Sequence, residues 1–474
     1  MSFPAVRSLV FASALALSAA AYGTDAEVAA LCDQAQELID SVNWEEALAA
    51  CDEAIELDPA SPEAYFLRGR TNLGLEEYER ATDDFRTALE LDPAYGRAYA
   101  GLAAVALSTG SGDPLQLAEM AIETEPGFAW CHYIRGRLLL PVRPEDAAAD
   151  FSRAIELDPE AYYAYTWRGH YHITKGELDL ALADLDRAIE LNDHWSSAFT
   201  FRGSVFYKLW NHRSALADLS RAIELDEENY YAVLWRGMLF WELGDAEAAF
   251  ADFDRSTEIG DADYAGFMWR GTALGALGEY EAAVADLNRA EELNPDDAEV
   301  YYNRAVVYAD GLGEMELALA DYDRAIELDP EHAAAYCNRG NIQEDVLGDY
   351  EAALADWDRA LELDPGLWQA LVNRSKLYAV TLGDLDRALE DLDAAIEIRP
   401  DLAFLPCTRA HILSLELGRY TEALEDYSLA IGLDPAYAEA YYGRALAEEA
   451  LGRHEAAAED YAKARQYGYT ATAP

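Results

Sequence analysis

The chain has 474 residues, of which 51% are apolar, and its 90 acidic side chains outnumber 35 basic ones, giving a formal net charge of −55. This charge repels phosphate backbones and anionic lipid headgroups, so it argues against nucleic-acid or membrane-surface binding. It either favours a cationic partner or serves only to keep the protein in solution. The apolar content is enough to bury a large core.

Residues 1–23 have the pattern of a secretory signal peptide. Arg7 gives the short N-terminal region a positive charge, the apolar run LVFASALALSAAA follows at 9–21, and small residues precede Asp25. The run is too short to cross a bilayer, and no later stretch is apolar for long enough to do so. We therefore expect a mature protein that is exported, to the periplasm or the medium, without membrane insertion.

The rest of the chain repeats one pattern. Segments such as AADFSRAIELDP at 148–159 and ADYDRAIELDP at 320–330 recur at intervals of 33 to 35 residues. Periods of this length are typical of stacked units that cannot bury their apolar faces alone. Within a unit, apolar residues recur at helical spacing in two runs separated by a turn such as LGEYEAA. The pattern predicts an all-α protein.

The segment YAGFMWRGTALGALGEYEAAVADLNRAEELNP at 264–295 resembles a tetratricopeptide repeat. Gly271, Ala283 and Ala290 are its small residues at positions 8, 20 and 27, Phe267 is bulky at position 4, and Pro295 stands at position 32. The resemblance extends over 24–469 and implies a right-handed superhelical α-solenoid of about 13 helix-turn-helix repeats. The predicted repeats are 28–61, 62–95, 96–128, 129–161, 162–195, 196–229, 230–263, 264–297, 298–332, 333–367, 368–402, 403–437 and 438–469, followed by a short tail at 470–474.

Repeats 9 to 12 are each longer than repeat 8. The extra residue falls between position 8 and the glycine of the turn. In repeat 10 these are Gly340 and Gly348, which are one residue further apart than Gly271 and Gly278 of repeat 8. An extra residue inside a helix would rotate its end by about 100°. We therefore predict that the extra residue lengthens the turn.

Two charged positions recur together. Eleven repeats have Arg at position 7, and the same eleven have Asp at position 23, whereas Gln34 and Leu102 stand at position 7 of the two repeats without that Asp. This covariation predicts an ion pair between the two helices of each repeat. A carboxylate partner in the same repeat argues against a basic stripe for an anionic ligand.

Motifs for catalysis or metal binding are missing from the sequence. It has no complete calcium loop, phosphate-binding glycine loop, nucleophile elbow or zinc helix. Little chain lies outside the repeats, so we predict no enzymatic activity, no cofactor and no metal. Cys32 and Cys51 lie on adjacent antiparallel helices at facing heights and form a candidate disulfide.

In the tetratricopeptide family the first helix of each repeat lines a concave groove, and position 6 faces it. That column reads Trp167, Phe201, Trp235 and Trp269, then Asn303, Asn338 and Asn373, and Tyr163, Tyr231 and Trp241 occupy neighbouring groove positions. The Asn half resembles the asparagine ladder of the O-GlcNAc transferase repeat array, which implies amides that hold the backbone of an extended peptide. The aromatic half can accept apolar side chains, sugars or cations. For both halves, the alternative to ligand binding is that these side chains only pack between neighbouring repeats.

These observations predict an exported, non-enzymatic scaffold that binds an extended polypeptide in the concave groove. Two alternatives stay open: an envelope protein that handles a glycan or exopolysaccharide through the Trp column, and an architectural assembly factor that uses the convex face or the ends. Position 5 of the central repeats has no Lys or Arg, which disfavours binding of a free acidic C-terminal motif.

Overall fold

The computed structural model describes residues 25–260 and 263–470. The predicted signal peptide, and residues 471–474 of the predicted tail, lie outside this part of the chain. Within it, 26 helices form 13 antiparallel pairs and no strand is present, so the predicted all-α class is confirmed. None of these helices combines the length and apolar character that crossing a bilayer requires.

The described chain forms two compact units, and the first ends at Gly260. It contains the seven helix pairs of repeats 1 to 7. Their bounds are α1 (25–40), α2 (Trp44–Leu57), α3 (Pro62–Gly74), α4 (Tyr78–Leu91), α5 (Gly96–Thr109), α6 (Pro114–Thr124), α7 (Ala129–Leu139), α8 (Pro144–Leu157), α9 (Tyr162–Thr174), α10 (Leu178–Leu191), α11 (Ser196–Lys208), α12 (His212–Leu225), α13 (Tyr230–Glu242) and α14 (Ala246–Ile259).

The second unit contains the six pairs of repeats 8 to 13. Their bounds are α15 (Tyr264–Leu277), α16 (Tyr280–Leu293), α17 (Ala298–Val306), α18 (Met315–Leu328), α19 (Ala333–Ile342), α20 (Tyr350–Leu363), α21 (Trp368–Leu377), α22 (Leu385–Ile398), α23 (Phe404–His411), α24 (Tyr420–Leu433), α25 (Ala438–Ala450) and α26 (His454–Gln466). In both units the first helix of a repeat contacts the first helix of the next one, as α9 contacts α11 and α19 contacts α21. These first helices form the inner layer of each stack.

The two helices of a pair pack closely because a small residue faces a bulky one. A Cβ added at Gly136 of α7 would lie 2.6 Å from the ring of Phe151 on α8, and one added at Gly340 of α19 would lie 2.8 Å from the indole of Trp357 on α20. Phe151 and Trp357 are fully buried. Because these interiors are close-packed, the two glycines set the spacing of their helix pairs.

The predicted Arg–Asp pairs form in all eleven repeats that carry them. In repeat 6, Arg202 donates from Nε and Nη2 to the two carboxylate oxygens of Asp218, at 2.7 and 2.9 Å. Its Nη1 donates to Asp186 of the preceding repeat at 2.8 Å. In at least nine repeats Nη1 makes such a contact to an Asp, Ser or Asn of the repeat before. Each arginine therefore joins two helices of its own repeat and usually a third from its neighbour.

The length of chain between the paired Arg and Asp varies, whereas their contact does not. The two residues are 15 positions apart in repeat 4 (Arg135 and Asp150), 16 in repeat 6, and 17 in repeat 10 (Arg339 and Asp356). The Nη2–Oδ1 distance is 2.7, 2.9 and 2.7 Å in these three repeats. Insertions and deletions between the two positions are therefore absorbed without loss of the ion pair.

The extra residue of repeats 9 to 12 lies inside the first helix, so the prediction of a longer turn is wrong. The first helices of these repeats continue as π-helical segments at Val307–Leu312, Gln343–Leu347, Tyr378–Leu382 and Ile412–Glu416. A π-turn holds one residue more than an α-turn, so it takes up the insertion at the C-terminal end of the helix. Gly348 then closes repeat 10 with a φ of +65°, as Gly278 closes repeat 8 with a φ of +87°.

Cys32 and Cys51 are free thiols, so the predicted disulfide is not formed. Both side chains are buried, and burial raises the pKa of Cys32 to about 11 and that of Cys51 to about 12. The Cys51 sulfur also interacts with the Thr71 side chain of α3. The two thiols pack as small apolar groups rather than as a cross-link.

Candidate functional site

All ten predicted groove residues lie on first helices. Tyr163 and Trp167 are on α9, Phe201 is on α11, Tyr231, Trp235 and Trp241 are on α13, Trp269 is on α15, Asn303 is on α17, Asn338 is on α19 and Asn373 is on α21. Nine of them are half-buried, and Tyr231 is 59% exposed. None is withdrawn completely into the core, so each keeps some surface that a ligand can contact.

The aromatic column of the first unit is not one continuous stack. Trp167 and Phe201 meet edge to face with ring centres 5.7 Å apart. Trp235 instead meets Tyr207 of the preceding repeat at 5.2 Å. In the second unit, Trp269 packs against a buried cluster that contains Met268. The rings therefore pack between neighbouring repeats and, because they remain half-buried, also contribute surface to the inner layer.

Trp167 also belongs to a cluster that contains two nitrogen-bearing side chains. The guanidinium carbon of Arg137 lies 4.3 Å from the indole centre, and the ring of His170 stacks on Phe201 at 4.5 Å. Arg137 Nε and His170 Nδ1 are buried, and neither has a hydrogen-bond partner in the described part of the chain. Burial lowers the pKa of His170, which makes the imidazole neutral at neutral pH.

The amides of the second unit differ from one another. Asn338 Nδ2 donates to Tyr302 Oη of the preceding repeat at 3.4 Å, and Asn373 Nδ2 donates to Asn341 Oδ1 of the preceding repeat at 2.7 Å. The amide of Asn303 makes no side-chain hydrogen bond to another residue within 263–470. Two of the three amides thus link neighbouring repeats, and the amide of Asn303 has donor and acceptor groups available.

The first five repeats close back on themselves, which the sequence did not predict. Asn192, just after α10, donates from Nδ2 to the main-chain oxygen of Asp40 at the end of α1, at 2.7 Å and across 152 residues. These residues border a cavity of about 740 Å³ whose lining includes Arg70 and Trp130. Six carboxylates also line it, those of Glu37, Asp40, Asp158, Glu160, Glu190 and Asp193. Across the described ranges, no group of His, Cys, Asp and Glu side chains is arranged to hold a metal ion.

Small residues on α5 accompany this closure. The helix has the sequence GRAYAGLAAVALST, and most of its inner side chains are Gly or Ala. Across it, Phe66 of α3 contacts the ring of Phe128, the last residue of repeat 3, at 6.1 Å and the ring of Trp130 in repeat 4 at 5.9 Å. The Gly- and Ala-rich first helix of repeat 3 was the signal in the sequence that could have predicted the contact.

Two family models match separate parts of the chain. A model described as tetratricopeptide repeat matches residues 32–95, 143–194, 202–264 and 344–403, about half of the chain. A second, described as TPR repeat, matches 271–311, 312–345 and 414–452.

Similarity to individual proteins is more distant. A stretch of 121 residues is 31% identical to anaphase-promoting complex subunit 3 of Schizosaccharomyces pombe and covers 25% of the chain but only 18% of that protein. Among solved structures, YrrB, described as a TPR protein with an unusual peptide-binding site, is 27% identical, with 40% of this chain and 96% of that one covered and a TM-score of 0.33. MamA is 24% identical over 34% of this chain and 94% of that one, with a TM-score of 0.31. The APC/C hetero-tetramer Cut9–Hcn1 is 13% identical over 92% and 93%, with a TM-score of 0.46.

Proposed function

The chain belongs to the tetratricopeptide repeat family, and on that premise we propose that it is a non-enzymatic interaction scaffold that binds an extended polypeptide along its inner layer. One observation carries the proposal. Successive first helices present half-buried rings or amides at the same position of each repeat, from Trp167 to Phe201 and Trp235 in the first unit and from Trp269 to Asn373 in the second. Regularly spaced rings offer apolar contact to side chains, and regularly spaced amides offer donors and acceptors to a main chain.

The three amides have different roles in this proposal. Asn303 offers an amide without a side-chain partner, so it binds the peptide main chain directly. Asn338 and Asn373 already donate to the preceding repeat, so they act on the ligand mainly by fixing the packing of repeats 9 to 11. Within the first unit the strongest proposed ligand contacts are the rings, and within the second unit the strongest is Asn303.

Selection from a random-peptide library tests the proposal. The protein lacking residues 1–23 is compared with a Trp235→Ala/Asn303→Ala variant, which loses one ring and one amide of the inner layer. The matched control is Trp210→Ala/Asn294→Ala, because Trp210 is 74% exposed at a turn and Asn294 lies at a helix end, both outside the groove positions. We expect selected peptides to bind the control as tightly as the unmodified protein and the inner-layer variant at least about tenfold more weakly.

Either of two results contradicts the proposal. Selected peptides that bind both variants equally would place their site away from the inner layer. A glycan array that retains the protein through Trp235, with no peptide selected, would replace the polypeptide by a carbohydrate ligand.

We further propose that the protein is exported and that residues 1–23 direct it. The support is the apolar run at 9–21 behind Arg7 and the small residues before Asp25. Mass spectrometry of the N-terminus from fractionated native cells tests it. We expect a chain that begins after Ala21 or Gly23 and is recovered outside the cytoplasm, whereas an intact N-terminus in the cytoplasm would contradict export.

A further inference from the structure

Three arginines on first helices, Arg70, Arg97 and Arg137, are not among the eleven that pair with aspartate. Arg97 is instead paired with Glu125 at 2.9 Å. Arg70 and Arg137 occupy position 9 of their repeats rather than position 7. Arg70 donates to Gln36 Oε1 at 2.7 Å. Arg137 has neither a hydrogen bond nor an ion pair with any residue of 25–260. In a chain with 90 acidic side chains, an inner-layer guanidinium without a carboxylate needs a physical reason.

The surroundings of Arg137 prepare it to bind a planar anion. Its guanidinium carbon lies 4.3 Å from the indole centre of Trp167, and contact with the ring restricts the side chain while leaving the N–H groups at its edge to donate. The buried Nε of Arg137 and the buried Nδ1 of His170 both lack partners. A buried polar group without a hydrogen bond is destabilising, so a ligand toward which these side chains turn to regain the missing bonds is favoured.

We propose that Arg137, which lies over the same Trp167 indole that His170 contacts, binds the carboxylate of an Asp or Glu side chain in the polypeptide that lies along the first unit. This inference rests on the proposed function for the class of ligand and adds the chemistry that the ligand must carry. A guanidinium accepts a carboxylate through two parallel hydrogen bonds, and the rings of Trp167 and Phe201 offer apolar surface to the methylene groups beside it. The net charge of −55 opposes a strongly acidic ligand, so the acidic residue is a single one in an otherwise neutral or basic segment.

The same kind of peptide selection tests this assignment. Random heptapeptides with blocked termini are selected on the unmodified protein, on Arg137→Gln and on Arg86→Gln. Arg86 is exposed on α4, so its substitution changes the net charge equally without touching the inner layer. We expect Asp or Glu to be enriched about tenfold at one peptide position by the unmodified protein and by Arg86→Gln, and not by Arg137→Gln.

A second variant guards against a general folding defect. Arg137→Lys keeps the charge but not the forked donors, so it retains only part of the enrichment, and its thermal midpoint should equal that of Arg86→Gln. Free C-termini form a separate arm of the selection. Enrichment that appears only there would overturn the assignment to a side-chain carboxylate.

The outcomes separate this inference from the proposed function. Peptides that need Trp235 but show no acidic preference would overturn the Arg137 assignment and leave the scaffold function in place. Enrichment that Arg137→Gln preserves would overturn it as well. No selected peptide at all would overturn both.

Discussion

Repeat 4 and repeats 9 to 12 depart from the usual repeat length in opposite directions and keep the same helix pair. Repeat 4 places 15 positions between its paired Arg and Asp, and its first helix α7 has only 11 residues. Repeat 10 uses 17 positions and adds the π-segment Gln343–Leu347. In both, the change falls in the C-terminal half of the first helix, beyond the arginine. This half is the part of the repeat whose length can vary.

Breaking the ion pair should have the largest effect in both regions. Arg339→Leu leaves the carboxylate of Asp356, which is 8% exposed, without its partner, and also removes the contact to Asp323. We expect a loss of about 3 kcal/mol in the local free energy of unfolding of repeats 9 and 10, measured by native-state hydrogen exchange. Arg135→Leu in repeat 4 should cost somewhat less, because within 25–260 Arg135 hydrogen-bonds only to Asp150, and Asp150 keeps its contact with His132.

A double substitution provides the control for this prediction. In Arg339→Leu/Asp356→Leu no buried charge is left unpaired, because Asp323 is exposed, so a large part of the lost stability should return. A double variant that is as unstable as Arg339→Leu would show that the cost arises from helix packing and not from an uncompensated carboxylate.

An intermediate effect is expected where the first five repeats close. Asn192→Ala removes the hydrogen bond to the Asp40 main chain, which contributes about 1 kcal/mol. Hydrogen exchange at the end of α1 should become faster while the second unit is unaffected. Asn294→Ala is the matched control, since Asn192 and Asn294 both accept a main-chain N–H two residues on, at 2.9 and 3.3 Å. Equal exchange at α1 in the two variants would contradict a closing role for Asn192.

The sequence predicted what every repeat contains and missed what depends on distant repeats. Helix pairing follows from apolar periodicity, and the bond between Arg202 and Asp218 from covariation within the chain. The Nη1 contact to Asp186 was missed, although the polar residues at that position of most repeats were a signal for it. The bond from Asn192 to Asp40 joins residues 152 positions apart, and no local pattern encodes such a distance.

The candidate site divides in the same way. Its residue types and their spacing were readable, because the columns of Trp and Asn recur at the period of the repeat. The contacts that decide which of these side chains are available to a ligand could not be predicted from the sequence. Asn303 and Asn338 look alike in sequence, but only Asn338 meets a tyrosine of the preceding repeat. Arg137 was overlooked: its place at position 9 was visible in the sequence, but its contact with Trp167 and its lack of a carboxylate partner within 25–260 were not.

The smallest effect is expected from removing the extra residue itself. Deletion of Asp345 from the π-segment of repeat 10 should convert it to a regular α-turn and shorten the Arg339–Asp356 spacing from 17 positions to the 16 of repeat 6. Because that shorter spacing supports the same forked contact, the free energy of unfolding should change by less than about 1 kcal/mol. Loss of the exposed contact between Asp345 and Lys376 adds little.

Deletion of Arg359 from α20 of the same repeat is the matched control. It rotates the rest of that helix by about 100° and turns buried Ala360 away from the core, so repeat 10 should unfold. Urea unfolding monitored by circular dichroism compares the two deletions. If deleting Asp345 were as damaging as deleting Arg359, the first helix would not be the variable part of the repeat. The π-turns would then be required for packing in repeats 9 to 12, and the short first helix of repeat 4 would need a separate explanation.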